Sequence, residues 1–440
     1  VTKRVFFLPP HFRPNGSSAL PKSELPLLLM GGLAAFTAYC AMYAFRKPLA
    51  VASYDDIGLH PLGLDYKTAI IIMQVVGYAA SKLIGIRVIA SFGRRGRAAA
   101  IAGLIGVSWL ALIGFALLPP SFGLACIFFN GLPLGMIWGF VFSYIEGRRV
   151  SEMLGAMLCA SFILSSGLVK SVGAFILSLG AAERMMPALT GLCFMPLLIV
   201  SLWALERLPP PSAQDEAART RRTSMNKAER RDWLQANWFP LALLVAGYVL
   251  LTAMRDFRDN FAVELWAALG VIGSASVFSA SELPVAIITL SGLAALIFVR
   301  GNLPAFLAMH AMIAIGGVIL GLSTLAFQSG VLAPMPWMIL TGAGLYLAYT
   351  PFNAMLFDRM IAVLGTTANA GFLIYIADAS GYVGSVALLI WRSLFAGQHD
   401  WLPIFINCAY LSSVLVVLCA SASALYFCHR ALKRGNVIHV

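Results

Sequence analysis

The chain has 440 residues, of which 60% are apolar and 11% charged, and its mean hydropathy is +0.84. Water-facing domains carry about 25% charged residues, so this chain lacks the polar surface of a soluble fold, while it is long enough for about a dozen spans of roughly 20 residues each. The net charge of +12 sits in short gaps between apolar runs rather than on a folded basic face, which excludes a nucleic-acid binder and matches loops on one side of a bilayer.

Residues 1–24 carry Lys3, Arg4, Arg13 and Lys22 among prolines and read as a cytoplasmic tail with no removable signal peptide. Span one is predicted over Leu25–Phe45 and runs into Arg46-Lys47-Pro48. Pro48 lacks a donor and clashes with the carbonyl of Ala44, which predicts a kink near Arg46. Span two, Tyr66–Ser91, places Gln74, Tyr78 and Lys82 one helical turn apart on one face. Lys82 either meets an anion inside the bundle or snorkels to the headgroups beside Arg87.

Span three is predicted over Arg97–Leu118 and span four over Phe122–Ile145. Span four holds Asn130-Gly-Leu-Pro-Leu-Gly135, whose small residues allow close helix contact, and it ends at Glu146 and Arg148. Span five, Met153–Leu179, carries Lys170 one turn after Ser166, deep in apolar sequence where snorkelling is difficult. A cavity-facing role is expected for it. Span six, Met186–Glu206, completes a first six-helix bundle over residues 25–206.

A polar stretch follows at 207–237, with Pro209-Pro210-Pro211 and then six basic residues from Arg219 to Arg231. It reads as a cytoplasmic linker, and its second part either lies on anionic headgroups as a helix or is solvated. Span seven, Trp238–Ala262, carries Arg255, Asp256, Arg258 and Asp259. Arg255 and Asp259 are spaced to pair with each other, or one of the arginines faces a solute. Span eight, Ser276–Val299, holds Glu282. Span nine is expected over Leu303–Phe327, and span ten over Leu332–Phe357 with Asp358 and Arg359 at its end. Span eleven, Thr366–Trp391, presents Tyr375, Asp378, Tyr382 and Ser385. Asp378 near mid-span is a counter-ion of Lys170 or Lys82, or a proton carrier. Span twelve, Leu402–Arg430, closes a second bundle over 238–430, and 431–440 form a tail.

Lys and Arg mark the side that holds both termini. Arg87, Arg94, Arg95, Arg97, Arg148, Arg149, Arg300, Arg359, Arg430, Lys433 and Arg434 all fall there, while the loops after spans three, five and nine hold Arg184 alone. Both termini are therefore expected in the cytoplasm of a bacterial inner-membrane protein. Glu146 with Arg148, and Asp358 with Arg359, are expected to close a gate on that side by ion pairing.

The two bundles are copies of one unit. Ala41–Val51 matches Ala253–Val263 at six of eleven positions, an offset of 253 − 41 = 212. Glu146 and Asp358 lie 358 − 146 = 212 apart, and each is followed closely by Arg. Ser166-Gly-Leu-Val-Lys-Ser-Val172 matches Ser380-Gly-Tyr-Val-Gly-Ser-Val386 at 380 − 166 = 214. A repeat of six spans keeps its membrane orientation, which is the parallel repeat of a twelve-helix, all-α transporter built from two six-helix bundles. The repeat pairs Arg46 with Arg258 across the central cavity.

The seven cysteines lie in apolar segments with no CxxC pair, so neither a disulfide framework nor a metal site is expected. No HExxH, GxSxG or P-loop pattern occurs, and no enzyme or cofactor is expected.

With these residues in hand, the first half resembles the organophosphate:phosphate antiporters of the major facilitator superfamily, the glycerol-phosphate and hexose-phosphate transporters. Tyr39-x-x-x-Tyr43-x-x-Arg46-Lys47 is similar to that family's span-one signature, and Gly77-Tyr-Ala-Ala-Ser81-Lys82 to its span-two segment. The resemblance implies that Arg46 is a phosphate ligand, that Lys82 lies in the cavity, and that an arginine early in span seven is a second ligand. Helix position favours Arg255 for that role and the repeat favours Arg258. The family's binding-site His in span five is absent, with Lys170 nearby instead. In the loop after span two, Phe92-Gly-Arg-Arg95 survives while Ala90 replaces the usual Asp. The chain is also similar, over Ala41–Pro48, Gln74–Ile86, Asn130–Arg149 and Arg255–Phe261, to an uncharacterised bacterial family of major-facilitator-like proteins.

The expectation is a monomeric secondary transporter of a small organic anion, a phosphorylated metabolite by the resemblance, coupled to phosphate or protons. Arg46 with Arg255 or Arg258 would grip the anion, and Lys82 and Lys170 would add charge. Tyr43, Gln74, Tyr78 and Tyr375 would donate hydrogen bonds, and Asp378 would hold a lysine or a proton. Proton-coupled transport of a zwitterionic or peptide-like solute, or a non-transporting scaffold subunit, are the alternatives.

Overall fold

The structure, a computed structural model, describes residues 25–91, 96–145, 148, 151–212, 227–271, 274–299, 301–366, 370–395 and 401–437. These residues form fourteen α-helices and, among the described residues, no strand. The first half consists of α1 (Leu25–Tyr43), α2 (Tyr66–Ser91), α3 (Arg97–Leu117), α4 (Gly123–Ile145), α5 (Ser151–Ser178) and α6 (Met186–Glu206). The second has α7 (Lys227–Asn260), α8 (Ala262–Ala268), α9 (Val277–Ile297), α10 (Asn302–Gln328), α11 (Pro334–Ala354), α12 (Leu356–Leu364), α13 (Ala370–Phe395) and α14 (Trp401–Val437). Twelve of these are long. Ten are apolar enough over their length to cross a bilayer, α2 and α11 standing outside that set. The short α8 and α12 follow the spans at seven and ten.

Helix ends differ from the expected span boundaries where prolines and polar residues intervene. α1 stops at Tyr43, and Arg46 precedes a 3-10 turn over Lys47–Ala50 that begins with Pro48 near its start. The expected kink is thus the end of the helix itself, because Pro48 cannot continue the ladder. α7 starts at Lys227 and is broken at Asn237, so its first turns precede the apolar span. Trp233 in those turns is buried and donates to Thr366 Oγ1 at 3.1 Å, which ties the helix to the α12–α13 connection. Residues 213–226 of the linker lie outside the described residues, as do the 1–24 and 438–440 tails.

Within the first half α2 lies along α4, α3 packs on α4, and α1 fills the space against α5 and α6. In the second half α7 packs on α13 and α14, and α11 on α9 and α10. Glycines set the closest approaches. A Cβ on Gly131 of α4 would stand 2.4 Å from the carbonyl oxygen of Gln74, and one on Gly77 of α2 would stand 2.4 Å from that of Phe128. Small residues draw helix backbones together because burial against lipid offers no hydrophobic gain.

The halves meet along two seams, α5 with α9 and α2 with α13. In span order these are five with eight and eleven with two. Exchanging span n for span n+6 turns one seam into the other, as a two-fold axis between the bundles requires. At the first seam Ser171 and Ser279 share a 2.7 Å hydrogen bond between their hydroxyls, and Gly167 lies against Phe278 and Glu282.

One end of the bundle carries the α1–α2, α3–α4 and α5–α6 loops, here called distal. It is tied by Tyr54 N–H donating to Glu183 Oε2 at 2.7 Å and by Tyr66 Oη donating to the Pro120 carbonyl at 2.9 Å. The opposite, proximal end holds the α4–α5, α6–α7 and α12–α13 connections.

Candidate functional site

Between the halves lies a cavity of about 60 Å³. Its wall from the first half is built by Tyr39, Tyr43 and Arg46 at the end of α1, by Tyr78 and Lys82 of α2, and by Trp138 and Phe162. The second half supplies Arg255 of α7, Tyr349 and Asn353 of α11, and Ile374, Asp378 and Tyr382 of α13. A water needs roughly 10–15 Å³ of such space, so the cavity suits a small ion or a few waters.

Arg46 is buried, and its guanidinium makes no ion pair among the described residues. It lies over the Tyr78 ring at 4.0 Å from the centroid, and its Nε has no hydrogen-bond partner. The position is fixed from behind. Pro48 has no N–H to offer the Phe45 carbonyl three residues earlier. Asn130 Nδ2 donates to the Phe45 carbonyl at 3.0 Å, and Gln74 Nε2 donates to the Arg46 carbonyl at 3.3 Å and to Asn130 Oδ1 at 2.7 Å. Gln74 is therefore spent on this scaffold and does not reach the cavity.

Arg255 lies opposite, 4.2 Å from the centroid of Tyr349, and donates to Asp256 Oδ1 at 2.8 Å. Asp256 also accepts from Ser385 Oγ at 2.6 Å. Arg258, which the repeat set across from Arg46, instead turns into its own half. It donates to Glu282 Oε1 at 2.7 Å and to the Met338 carbonyl at 2.9 Å, pressed on Gly342. The three-residue step from 255 to 258 falls short of a full helical turn by about 60°, enough to exchange the cavity for the α9–α11 packing.

Lys170 also departs from expectation. Its ammonium contacts the carboxylate of Asp259, to which Lys47 pairs as well and Ser166 donates. Lys47 Nζ further donates to Asn260 Oδ1 at 3.1 Å. Asp259 is thus not the partner of Arg255, and Lys170 is sealed in an ion cluster on the distal side of the cavity rather than on its wall. Further out, Lys67 pairs with Glu264 at 2.5 Å and Arg392 with Asp65 at 2.8 Å. All these ion pairs join one half to the other, so the distal end is closed by charge as well as by packing.

Toward the proximal end Lys82 pairs with Asp378, which also accepts from Tyr248 Oη. Tyr248 Oη lies 3.0 Å from Tyr349 Oη and receives Asn353 Nδ2 at 3.4 Å. Tyr375 is half-buried and off the wall. The lining stripe of α13 is Ile374, Asp378 and Tyr382, at i, i+4 and i+8, and Tyr375 stands one residue, about 100°, from it.

Of the residues expected to gate the proximal end, Glu146 lies outside the described residues. Arg148 donates to the carbonyl of Tyr144 and to that of Pro209 at the start of the linker, and Arg359 donates to Asn302 Oδ1 in the second half. Asp358 is not without a partner. Tyr39, Tyr248, Tyr349, Asn353 and Asn130 complete the site and its support, and spacing along the sequence does not mark them as ligands. A polar residue in a membrane span was the available signal for each. Among the described residues no group of three His, Cys, Asp or Glu side chains is placed to hold a metal ion.

Among the solved structures that share the fold are three membrane transporters. The nucleoside transporter NupG has a TM-score of 0.60 at 14% identity, over 90% of this chain and 98% of that one. A D-xylose-proton symporter has a TM-score of 0.59 at 15% identity, over 91% and 97%. The major facilitator superfamily proton:xylose symporter XylE, bound to 6-bromo-6-deoxy-D-glucose, has a TM-score of 0.57 at 16% identity, over 90% and 95%. At these identities the likeness establishes the major facilitator fold and carries no organophosphate antiporter identity. No curated protein sequence matches the chain. A family model does, over residues 48–430, and the chain accordingly belongs to the family of unknown function DUF5690.

Proposed function

We propose that this protein is a secondary active transporter that moves a small organic anion across a membrane by alternating access, the two bundles rocking about the central cavity. The observation that carries the reading is Arg46. A buried guanidinium without a carboxylate is costly, and a cavity that keeps one in place is built for an anion that arrives from outside the protein. Arg255 faces the same space from the other half, so a carboxylate or phosphate bound between them would be held by both bundles at once. Tyr43 and Tyr78 add hydroxyls to the wall. The similar structures bear the names of a nucleoside transporter and of proton symporters, which supports transport as the activity.

The narrower reading is a phosphorylated metabolite exchanged for phosphate, and it rests on the span-one and span-two residues Arg46 and Lys82. Asp378, a carboxylate on the cavity wall, favours proton coupling as the competing mode. A single chain holds both bundles, so a monomer suffices. The Lys and Arg asymmetry supports a bacterial inner-membrane protein with both termini in the cytoplasm.

The test is a thermal-shift screen of the detergent-purified protein against inorganic phosphate, phosphate esters, carboxylates and organic cations, run beside Arg46→Ala. A ligand of the native state raises the melting temperature by mass action. Stabilisation by an anion in the wild type and its loss in Arg46→Ala is the expected result. If no anion stabilises the wild type while Arg46→Ala folds normally, anion transport is ruled out.

A further inference from the structure

The cavity wall carries three cations, Arg46, Lys82 and Arg255, but one carboxylate, Asp378. Arg255 is met by Asp256 from behind the wall, and Arg46 is met by none among the described residues. Lys82 is met by Asp378. We propose that Asp378 is a built-in stand-in for the solute's anionic group: it holds Lys82 across the two halves while the cavity is empty, and an incoming anion takes Lys82 in its place. The proposal deepens the anion-transport reading and rests on it.

Three features support the exchange. Lys82 is reachable: its side chain is 24% exposed, against 5% for Lys47 and 3% for Lys170, which are sealed on Asp259. The ammonium lies 5.5 Å from the Tyr78 ring centroid, and the Arg46 guanidinium covers the same ring at 4.0 Å. An anion at Tyr78 would therefore meet two cations of the first half. Asp378, in turn, has somewhere to stay. Tyr248 holds its other carboxylate oxygen and is itself braced by Tyr349 and Asn353, all from the second half.

The consequence for coupling is geometric. Lys82 is on α2 and Asp378 on α13, one of the two seams between the bundles. Exchange replaces a direct ionic link between the halves with one that runs through the solute. The distal pairs on Asp259 do not line the cavity, so a solute cannot compete there. The empty protein keeps its proximal latch, and the loaded protein releases it.

The experiment measures binding of inorganic phosphate, and of lactate as a second probe, to the purified full-length protein at fixed pH and ionic strength. Wild type, Asp378→Asn, Lys82→Gln and the double variant are compared. Removing the internal competitor is expected to tighten anion binding by roughly tenfold, and removing Lys82 to weaken it by at least as much. Added to Lys82→Gln, Asp378→Asn is expected to gain much less, since no ammonium is left to release. Binding by Asp378→Asn that equals or falls below wild type overturns the proposal, as does an equal gain with and without Lys82, while the anion site itself stands. If neither probe binds wild type or Asp378→Asn, the anion-transport reading falls and the proposal with it. Should Asp378→Asn not fold, Tyr248→Phe removes the hydroxyl that holds Asp378 when Lys82 leaves it; phosphate binding is then expected to weaken by roughly tenfold, and binding equal to wild type overturns the proposal.

Discussion

The ammonium of Lys170, on α5, contacts the carboxylate of Asp259, at the last turn of α7, and so joins the two halves on the distal side of the cavity. Lys47 reaches the same carboxylate. Two lysines therefore depend on one acid, and all three groups are buried. Removing one partner of a buried ion pair costs about 3–5 kcal/mol, because the other charge is left without compensation.

Asp259→Asn is expected to be more disruptive than Lys170→Gln, since the first strands two ammonium groups and the second leaves Lys47 paired. Hydrogen exchange over residues 44–57, together with the melting temperature, reads the effect. Faster exchange in that distal segment in Asp259→Asn, with a smaller change in Lys170→Gln, is the expected order. Equal protection in both variants and wild type would show that the cluster does not hold the distal end closed.

Arg46 makes its contacts as a plane. It stacks on Tyr78 and carries a fork suited to two oxygens of a carboxylate or phosphate. Lysine keeps the charge but not the plane. Arg46→Lys is expected to retain anion binding at roughly tenfold lower affinity, while Arg46→Ala abolishes it, because Arg and Lys differ in bidentate and stacking geometry. Tyr78→Leu removes a cation–π contact of about 0.5–2 kcal/mol and should weaken binding without ending it. Titration calorimetry on the three variants separates these outcomes, and equal affinity in Arg46→Lys and wild type would reduce Arg46 to a point charge.

Much of this arrangement is legible in the amino-acid sequence. Hydropathy and the Lys/Arg punctuation mark the spans, since lipid admits a backbone only when it is internally hydrogen-bonded. The repeat anticipates two bundles, and charge inside apolar sequence points to Arg46, Lys82, Arg255 and Asp378. Sequence spacing places a residue on a helix face but does not say what that face meets. Lys170 and Asp259 are 89 residues apart, and nothing local distinguishes their pairing from a lysine on the cavity wall. Arg258 matches Arg46 in the repeat because the copies share a segment, yet Glu282 has no counterpart that would reveal its partner. Gln74 shares a face with Tyr78 and Lys82, but the end of α1 consumes its amide. Asn353 and Tyr349 join the site only because α11 faces α7, which no spacing along the chain encodes.

The scaffold under Arg46 yields a prediction of its own. Asn130 is fully buried, and its amide donates to the Phe45 carbonyl at 3.0 Å and to Ser108 Oγ at 2.7 Å, while its oxygen accepts from Gln74. Asn130→Leu leaves the Phe45 carbonyl without a donor in a site closed to water. Each buried group so stranded costs about 1–3 kcal/mol. The melting temperature is expected to fall, and anion affinity with it, because the turn that carries Arg46 loses its anchor. A variant that melts lower but binds normally would mean that Arg46 is placed by Tyr78 alone.

The close approach of α2 and α4 can be tested with a matched pair of glycines. A methyl on Gly131 would stand 2.4 Å from the Gln74 carbonyl oxygen and 3.2 Å from its Cα, both backbone atoms that no rotamer change can move. A methyl on Gly103 of α3 would meet nothing within 4 Å. Gly131→Ala must push the helices apart, at a cost of about 1–3 kcal/mol or more for an overpacked contact. Gly103→Ala gains about 0.5–1 kcal/mol from the better helix former. The two substitutions add the same atom, so their difference isolates the contact. Because α2 carries Tyr78 and Lys82, Gly131→Ala is also expected to lose anion binding while Gly103→Ala keeps it. Thermal melts with and without phosphate read both effects. Equal melting of the two variants would mean that α2 and α4 do not approach at Gly131, and that the wall of the cavity is positioned by something other than this glycine contact.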